Sequence, residues 1–489
     1  MRARPFLLAV LATAIVLAGC SGPKPTTMAA RTVVEGPWSM HCYGGAADWT
    51  DPCTARATRQ NGPSNENWLA VNPTDPENVV VMGKDYNPKA SDCVWMGVEV
   101  TKDGGKTWTE SYLGGDLSQR QPTDASYGYT CNTDPMFAFD SAGVLYASFE
   151  VYSRLPNHLP VVGQDPAMGG QNTMFIAISK DGGLHFGPFV SVWSGDGLMV
   201  LQDRTMIVTS PTTGTVFFAW SQRVGVGTVG EVLVSESKDH GATWSVPTVV
   251  TSPSDNRLDI PVALAAAPDG TIYVGWYSLP LNDPAGPPVG ETTTTIQLSA
   301  STDDGKTYSP PRNVQSPGIG FVEYAPHSRF YVAVDLQMAV TPKGDLYMVW
   351  NDNATGHLEV MVSHSADKGQ TWTPPVAVAG PDADDHARFH GAVAADMWGR
   401  VHVTYFDRQY DPNDKLLDIT WASSDDGTNF TQQRVTASSF DGDLGFHQSG
   451  VPFIGDYNGI GVVGGHLYAS FPDTRAGRSD LAVAHFART

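Results

Sequence analysis

Six copies of one short pattern, Ser/Thr-x-Asp-x-Gly-x-polar-aromatic, punctuate the chain. They are Thr101–Trp108, Ser179–Phe186, Ser237–Trp244, Ser301–Tyr308, Ser365–Trp372 and Ser423–Phe430. Their central acids are Asp103, Asp181, Asp239, Asp303, Asp367 and Asp425, spaced 58 to 78 residues apart. A unit recurring at such intervals points to a repeat architecture in which each copy packs on the next. Each copy has the chemistry of a turn. A β-prone run such as Met96–Val100 or Met174–Ile178 leads in. The Asp side chain can accept from the amides that follow it, and the Gly takes a conformation closed to other residues. The aromatic then returns the chain to packing.

A second element recurs seven times. It is an apolar strand, a small turn, and a strand ending in an aromatic or other apolar residue. The copies begin at Trp68, Met136, Met206, Val262, Gln337, Gly391 and Gly459, with second strands Asn78–Met82, Val144–Phe149, Val216–Trp220, Ile272–Trp276, Leu346–Trp350, Val401–Tyr405 and Leu467–Phe471. Short runs rich in β-branched and aromatic residues, bounded by Gly, Pro and Asp, read as strands. The last copy is followed only by Asp480–Phe486 and has no turn pattern after it. The expected fold is all-β: a single β-propeller of four-stranded antiparallel blades with these turns at the outer hairpins. Seven blades are expected, with six as the alternative. Residues 31–34 are expected to supply the missing outer strand of the last blade and so remove an open edge. Inserts near 113–133, 153–172 and 279–295 are expected to be loops.

The turn patterns are Asp-boxes, and through them the chain resembles the sialidase-like, or BNR-repeat, β-propellers. The resemblance spans nearly the whole repeat region. It implies that the boxes lie on the rim and that ligands bind at the opposite face. It also implies a reaction: release of a terminal sialic acid by a Tyr nucleophile, a Glu that assists it, an Asp acid/base and three arginines for the substrate carboxylate. A Tyr replaces the usual carboxylate nucleophile because the sugar's own carboxylate would repel one. One departure is sharp. Where the family carries an arginine near the first inner strand, this chain reads Asn65-Glu66-Asn67-Trp68.

Arg2 and Arg4, an apolar run to Leu17, and Leu17-Ala18-Gly19-Cys20 form a secretory leader that resembles a bacterial lipobox. The expected organisation is a signal peptide at 1–19, a lipidated Cys20 with a tether to residue 36, and the propeller from 37 to 489. The expected location is extracytoplasmic, held to a bacterial membrane by the lipid on Cys20. The four remaining cysteines, Cys42, Cys53, Cys93 and Cys131, favour disulfides in an exported chain. Three pairings are open, with 42–53 and 93–131 preferred for proximity. A net charge of −21 argues against nucleic acid as a partner.

The starts of the inner strands carry a near-complete set of acids: Glu66, Asp134, Asp203, Asp335 and Asp456, with His390 in blade six and Pro261 in blade four. In a propeller these positions meet at one mouth of the central channel. Like charges there raise one another's pKa unless they are solvated, paired or bound to a cation. Arg204, Arg388, Arg408 and Arg475 stand close in sequence as partners. Candidate catalytic residues are Tyr457, Asp456 and Asp203. Candidate ligand-binding residues are the four arginines with Glu66, Asp134, Asp335 and His390. No cofactor is required. Calcium suits an oxygen-rich ring, or the loop acids Asp407, Asp411, Asn413 and Asp414. The spacing of His386 and His390 does not read as a metal pair. The expected role is recognition of a glycan or other cell-surface ligand by a monomer, with catalysis left open. The alternatives are an exo-sialidase and a non-catalytic assembly factor.

Overall fold

Seven four-stranded antiparallel sheets succeed one another along the chain in the computed structural model. It describes residues 38–43, 51–58, 62–86, 94–113, 131–152, 171–196, 200–224, 229–251, 257–280, 294–316, 322–354, 356–381, 384–448 and 450–488. The inner strands of blades one to seven are Ser64–Asn72, Cys131–Phe139, Val200–Thr209, Arg257–Ala266, Leu336–Val340, Arg388–Ala395 and Gly459–Val463. The architecture is the expected seven-bladed propeller. Blades stack through their second strands, whose alternating side chains are buried on both faces. Trp220, Trp276 and Trp350 there are almost wholly inaccessible.

Blade seven is completed by the N-terminal strand Trp38–His41, which pairs antiparallel with the C-terminal strand Asp480–Arg488. Thr54–Arg56 adds a second partner on the same strand. The closing strand therefore falls later than residues 31–34, which lie outside the described residues. So do the leader, Cys20 and the tether, Cys93, and most of the three expected inserts. Cys42 is disulfide-bonded to Cys53, next to the closing strand. Cys131 is disulfide-bonded as well. No helix among the described residues is long and apolar enough to cross a membrane.

The boxes fold as the sequence predicts and also join the blades. In blade three, Asp239 Oδ1 accepts from the Thr243 amide at 2.8 Å and from Ser237 Oγ at 2.8 Å, while Ser237 Oγ accepts from the Gly241 amide. The same cage recurs around Asp103, Asp181, Asp303 and Asp367. In blade six the caging acid is Asp426 rather than Asp425. Asp426 accepts from the Thr428 and Asn429 amides, and Asp425 bridges to Arg400. A one-residue tighter turn explains the shift, since Gly427 bonds Ser424 rather than a residue four back. Gly241 (φ +82°) lies against Tyr146 and Ile178 of the preceding blade, and Gly427 lies against Tyr347 in the same way.

Two small hairpins, Val322–Tyr324 with Tyr331–Ala333 and Phe446–Gln448 with Val451–Phe453, precede the inner strands of blades five and seven.

Candidate functional site

Every inner strand except those of blades five and seven is broken near its start by a β-bulge in its pairing with the second strand. A bulge re-aims one side chain. Aligned on the strand pairing, the residues at this point are Glu66, Asp134, Arg204, Pro261, Asp335, His390 and Tyr457. Glu66, Asp134, Arg204 and His390 have φ between 46° and 56°. A non-glycine residue in the left-handed region costs on the order of 1 kcal/mol or more, and such strain gathers at functional sites. Four blades hold it at the same position.

The ring corrects the sequence alignment in two blades. Blade three contributes Arg204 rather than Asp203, and blade seven contributes Tyr457 rather than Asp456. The two acids stand one residue earlier and pair with neighbouring cations. Asp203 pairs with Arg223, and Asp456 Oδ2 lies 3.0 Å from Arg204 Nη2. The Arg204 amide donates to Asp134 Oδ2 at 3.1 Å, and its guanidinium sits 5.5 Å from the centre of the Tyr457 ring. Lys84 completes the network, paired with Glu66 and 3.2 Å from Asp134.

The electrostatics follow from burial and pairing. Burial raises the Glu66 carboxyl well above the usual range despite Lys84. At Asp134 burial acts the same way, but Lys84 and Arg204 outweigh it and hold the carboxyl below the usual range. Burial raises Asp335 to about 7, with Arg204 opposing and Asp456 reinforcing the shift. Burial, reinforced by Arg204, lowers His390 to about 3, so its imidazole is neutral. The Tyr457 phenol is raised by burial and by Asp134 and Glu66. Asp335 Oδ2, both ring nitrogens of His390 and the Tyr457 hydroxyl are buried without a hydrogen-bond partner. Between Arg204, Asp335, Gln337, Tyr457, Trp68 and Pro261 lies a cavity of about 20 Å³, room for one water molecule.

The other predicted arginines are engaged elsewhere. Arg388 is held by Glu359, Asp384 and Asp407. Arg408 donates to the Pro326 and Asp414 carbonyls and packs on Phe330 and Phe389. Arg475 is clamped by Asp51 and Asp473. Lys84 and Arg204 are cations that act on Tyr457.

Among the described residues, one group of three metal-capable side chains has its ligand atoms within 4.8 Å of one another: Asp134, Glu150 and Asp203. Lys84, Arg204 and Arg223 already bring three positive charges to it, which a calcium ion would have to displace. The blade-six loop acids are occupied too. Asp411 accepts from the amides of Asn413, Lys415 and Leu416, and Asp414 from that of Ala387. His386 pairs with Asp384, while His390 belongs to the ring.

Sequence reasoning missed the aromatic groups at this mouth. Tyr86 stacks on Phe446 with ring centres 3.6 Å apart, and Tyr331 stacks on Phe453 at 5.2 Å. Both tyrosines feel the charges of Glu66, Lys84 and Asp456, which places them beside the network. A larger open groove of about 620 Å³ lies between the boxes of blades four and five, lined by Tyr308, Lys368 and Gln370. Its lysine is paired with Asp269 at 2.7 Å.

Residues 202–436, which are blades three to six, match the family model described as a BNR repeat-like domain. No curated protein matches the sequence. The chain is similar to solved structures at low identity. A protein of unknown function from Dyadobacter fermentans shares 14% identity over 90% of this chain and 99% of its own, with a TM-score of 0.47. The Hadza microbial sialidase Hz136 shares 15% over 84% and 76%, with a TM-score of 0.48. The Penicillium chrysogenum alpha-L-arabinanase shares 13% over 79% and 99%, with a TM-score of 0.45. The match to a BNR repeat-like domain therefore covers blades three to six, and the seven-bladed propeller and its site rest on the chain's own geometry.

Proposed function

We propose that this propeller recognises a glycan at the channel mouth and does not cleave it by the sialidase route. One observation supports the reading most directly: hydrogen-bonding groups around Arg204 and Asp456 are flanked by the half-buried rings of Tyr86 and Tyr331. A sugar asks for that combination, an aromatic face for its C–H surface and polar groups for its hydroxyls. Burial raises Glu66 and Asp335, so the acids Asp134, Asp203 and Asp456 face the three cations Lys84, Arg204 and Arg223. That balance leaves no surplus of positive charge for a glycan led by a carboxylate. Turnover by Tyr457 is disfavoured because its hydroxyl is buried and one arginine, not three, touches it. The proposed setting is the outer face of a bacterial membrane, anchored by lipid on Cys20.

The test is a glycan array followed by calorimetry with the oligosaccharides it retrieves, on protein starting at Ser21. Tyr331→Ala and Arg204→Gln should each weaken binding at least tenfold. Binding to no glycan would remove the reading. Hydrolysis of a fluorogenic sialoside that disappears in Tyr457→Phe would restore the exo-sialidase alternative. Mass spectrometry of the native N-terminus should find a diacylglyceryl group on Cys20, and an unmodified cysteine there would remove the anchor.

A further inference from the structure

Each inner strand starts at the channel mouth and runs away from it, so the turns into the second strands lie on the opposite face. Four of these turns share one geometry. In blades two, four, five and six a glycine amide donates to the carbonyl three residues back: Gly143 to Asp140, Gly270 to Ala267, Gly344 to Thr341 and Gly399 to Asp396, at 2.9–3.0 Å. The two tip residues between them are exposed in every case. They read Ser141-Ala142, Pro268-Asp269 and Pro342-Lys343, but Met397-Trp398 in blade six. The tips of blades one and seven are Pro73-Thr74 and Gly464-Gly465, and that of blade three, 211–214, is Pro-Thr-Thr-Gly. Met397 is 62% exposed and Trp398 47%. Turn chemistry favours Pro, Asp, Ser and Gly at such a tip and asks for neither Met nor Trp. One exposed apolar side chain needs no explanation. Two adjacent ones, where the other blades carry small or polar residues, do.

The place of this tip says what it meets. Trp38, which starts the closing strand, meets Trp398 edge-on with ring centres 6.3 Å apart. The Arg488 guanidinium, at the end of the last strand, lies 3.6 Å from the centre of the Trp398 ring. The chain therefore joins the propeller beside the exposed pair, on the face opposite the mouth. Residues 21–37 link Cys20 to Trp38, and a stretch of that length spans at most about 60 Å when fully extended. Such a tether holds the propeller near a bilayer without fixing which face turns towards it. The exposed pair supplies what the tether lacks. A Trp ring suits the headgroup boundary, where its body is apolar and its N–H stays wet, and basic side chains accompany it there. Arg488 lies over the ring, and Lys343 stands exposed at the blade-five tip.

We propose that Met397 and Trp398 rest in the headgroup boundary of the membrane that carries the Cys20 lipid. The channel mouth then faces away from that membrane, towards whatever the surroundings deliver. The inference rests on the proposed lipid on Cys20 and is independent of what the mouth binds.

The test uses the lipidated full-length chain, its acyl groups verified by mass spectrometry, in phosphatidylcholine vesicles. An environment-sensitive fluorophore is placed on Met397→Cys, or on Leu444→Cys before the inner strand of blade seven, with the disulfides left intact. Both positions are exposed, so both variants should fold. The label at 397 should shift to the blue and lose at least half of its emission to a nitroxide-bearing lipid, while the label at 444 keeps its emission. Trp398→Ser beside the label should reduce that quenching at least twofold. The proposal is overturned if the label at 397 is not quenched on a chain whose lipid is confirmed, or if the label at 444 is quenched equally. It is also overturned if the label at 397 is already shielded from water without vesicles in the chain starting at Ser21, since residues 21–37 would then cover the pair. An unmodified Cys20 would remove the anchor and this inference with it, and mass spectrometry distinguishes that outcome from the others.

Discussion

Arg204 carries more of the mouth than any other single side chain, since its guanidinium neutralises Asp456 and its charge and amide act on Asp134. Removing one partner of a buried ion pair leaves the other uncompensated, at a cost of about 3–5 kcal/mol. Arg204→Ala should therefore lower unfolding stability by about 3 kcal/mol, read in urea titration. Asp335 sets a pH dependence of the opposite sense to a salt-bridged acid. Its folded pKa of about 7 lies above the ordinary carboxyl value, so between roughly pH 4 and 7 the folded chain holds a proton that the unfolded chain has lost. Stability then falls as pH rises through that window. Glu359, also raised to about 7 by burial, acts in the same sense. Asp335→Asn should flatten the fall in Tm across pH 4–7, and an unchanged slope would mean that Asp335 is ionised throughout. Five of the seven ring positions were legible from the repeats. Arg204 and Tyr457 were not, because hairpin turns of unequal length move the matched core position by one residue. A bulge also hides its extra residue from a reading of period two. Tyr86 and Tyr331 come from outside the repeat and left no signal.

Each Asp-box is a joint as well as a turn. Gly241 has a left-handed backbone, and a Cβ there would lie 2.9 Å from Ile178 Cδ1 of blade two. Gly241→Ala should cost more than about 1 kcal/mol, because strain and a clash between blades add. Asp239→Ala should lower the Tm in the same direction, since the Thr243 side chain and amide and the Ser237 hydroxyl all lose their acceptor. The bonds to Thr243 hold the Asp239 carboxyl at about 2, and Asp181, Asp303 and Asp367 are held alike. Their contribution is complete above about pH 4 and is lost as pH falls towards 2. The boxes were readable in sequence because every part of the cage is local. The exception, Asp426 for Asp425, shows the limit: Asp425 has the spacing of the pattern, and only the hydrogen bonds of the tighter turn show that Asp426 takes its place.

At the scale of the whole molecule, stability depends on the seam in blade seven. The disulfide Cys42–Cys53 closes a loop of 11 residues beside it, which constrains the unfolded chain by about 3 kcal/mol in the chain-entropy account. Replacing both cysteines with serine should lower denaturant stability by that order. The seven-blade count could be read from the sequence because each blade repeats the same pair of strands. Which N-terminal segment completes the ring could not, because Trp38–His41 has an ordinary strand composition and is identified only by its partner. That partner is instructive. Trp38, the first residue of the closing strand, stands opposite Arg488 at the end of the last. The two ends of the fold are neighbours that a short turn could join. The molecule is in effect a circle cut once, and the cut could be moved. A chain with residues 488 and 38 linked and new ends opened in the exposed turn at 211–214 should fold to the same ring, with every blade keeping its neighbours.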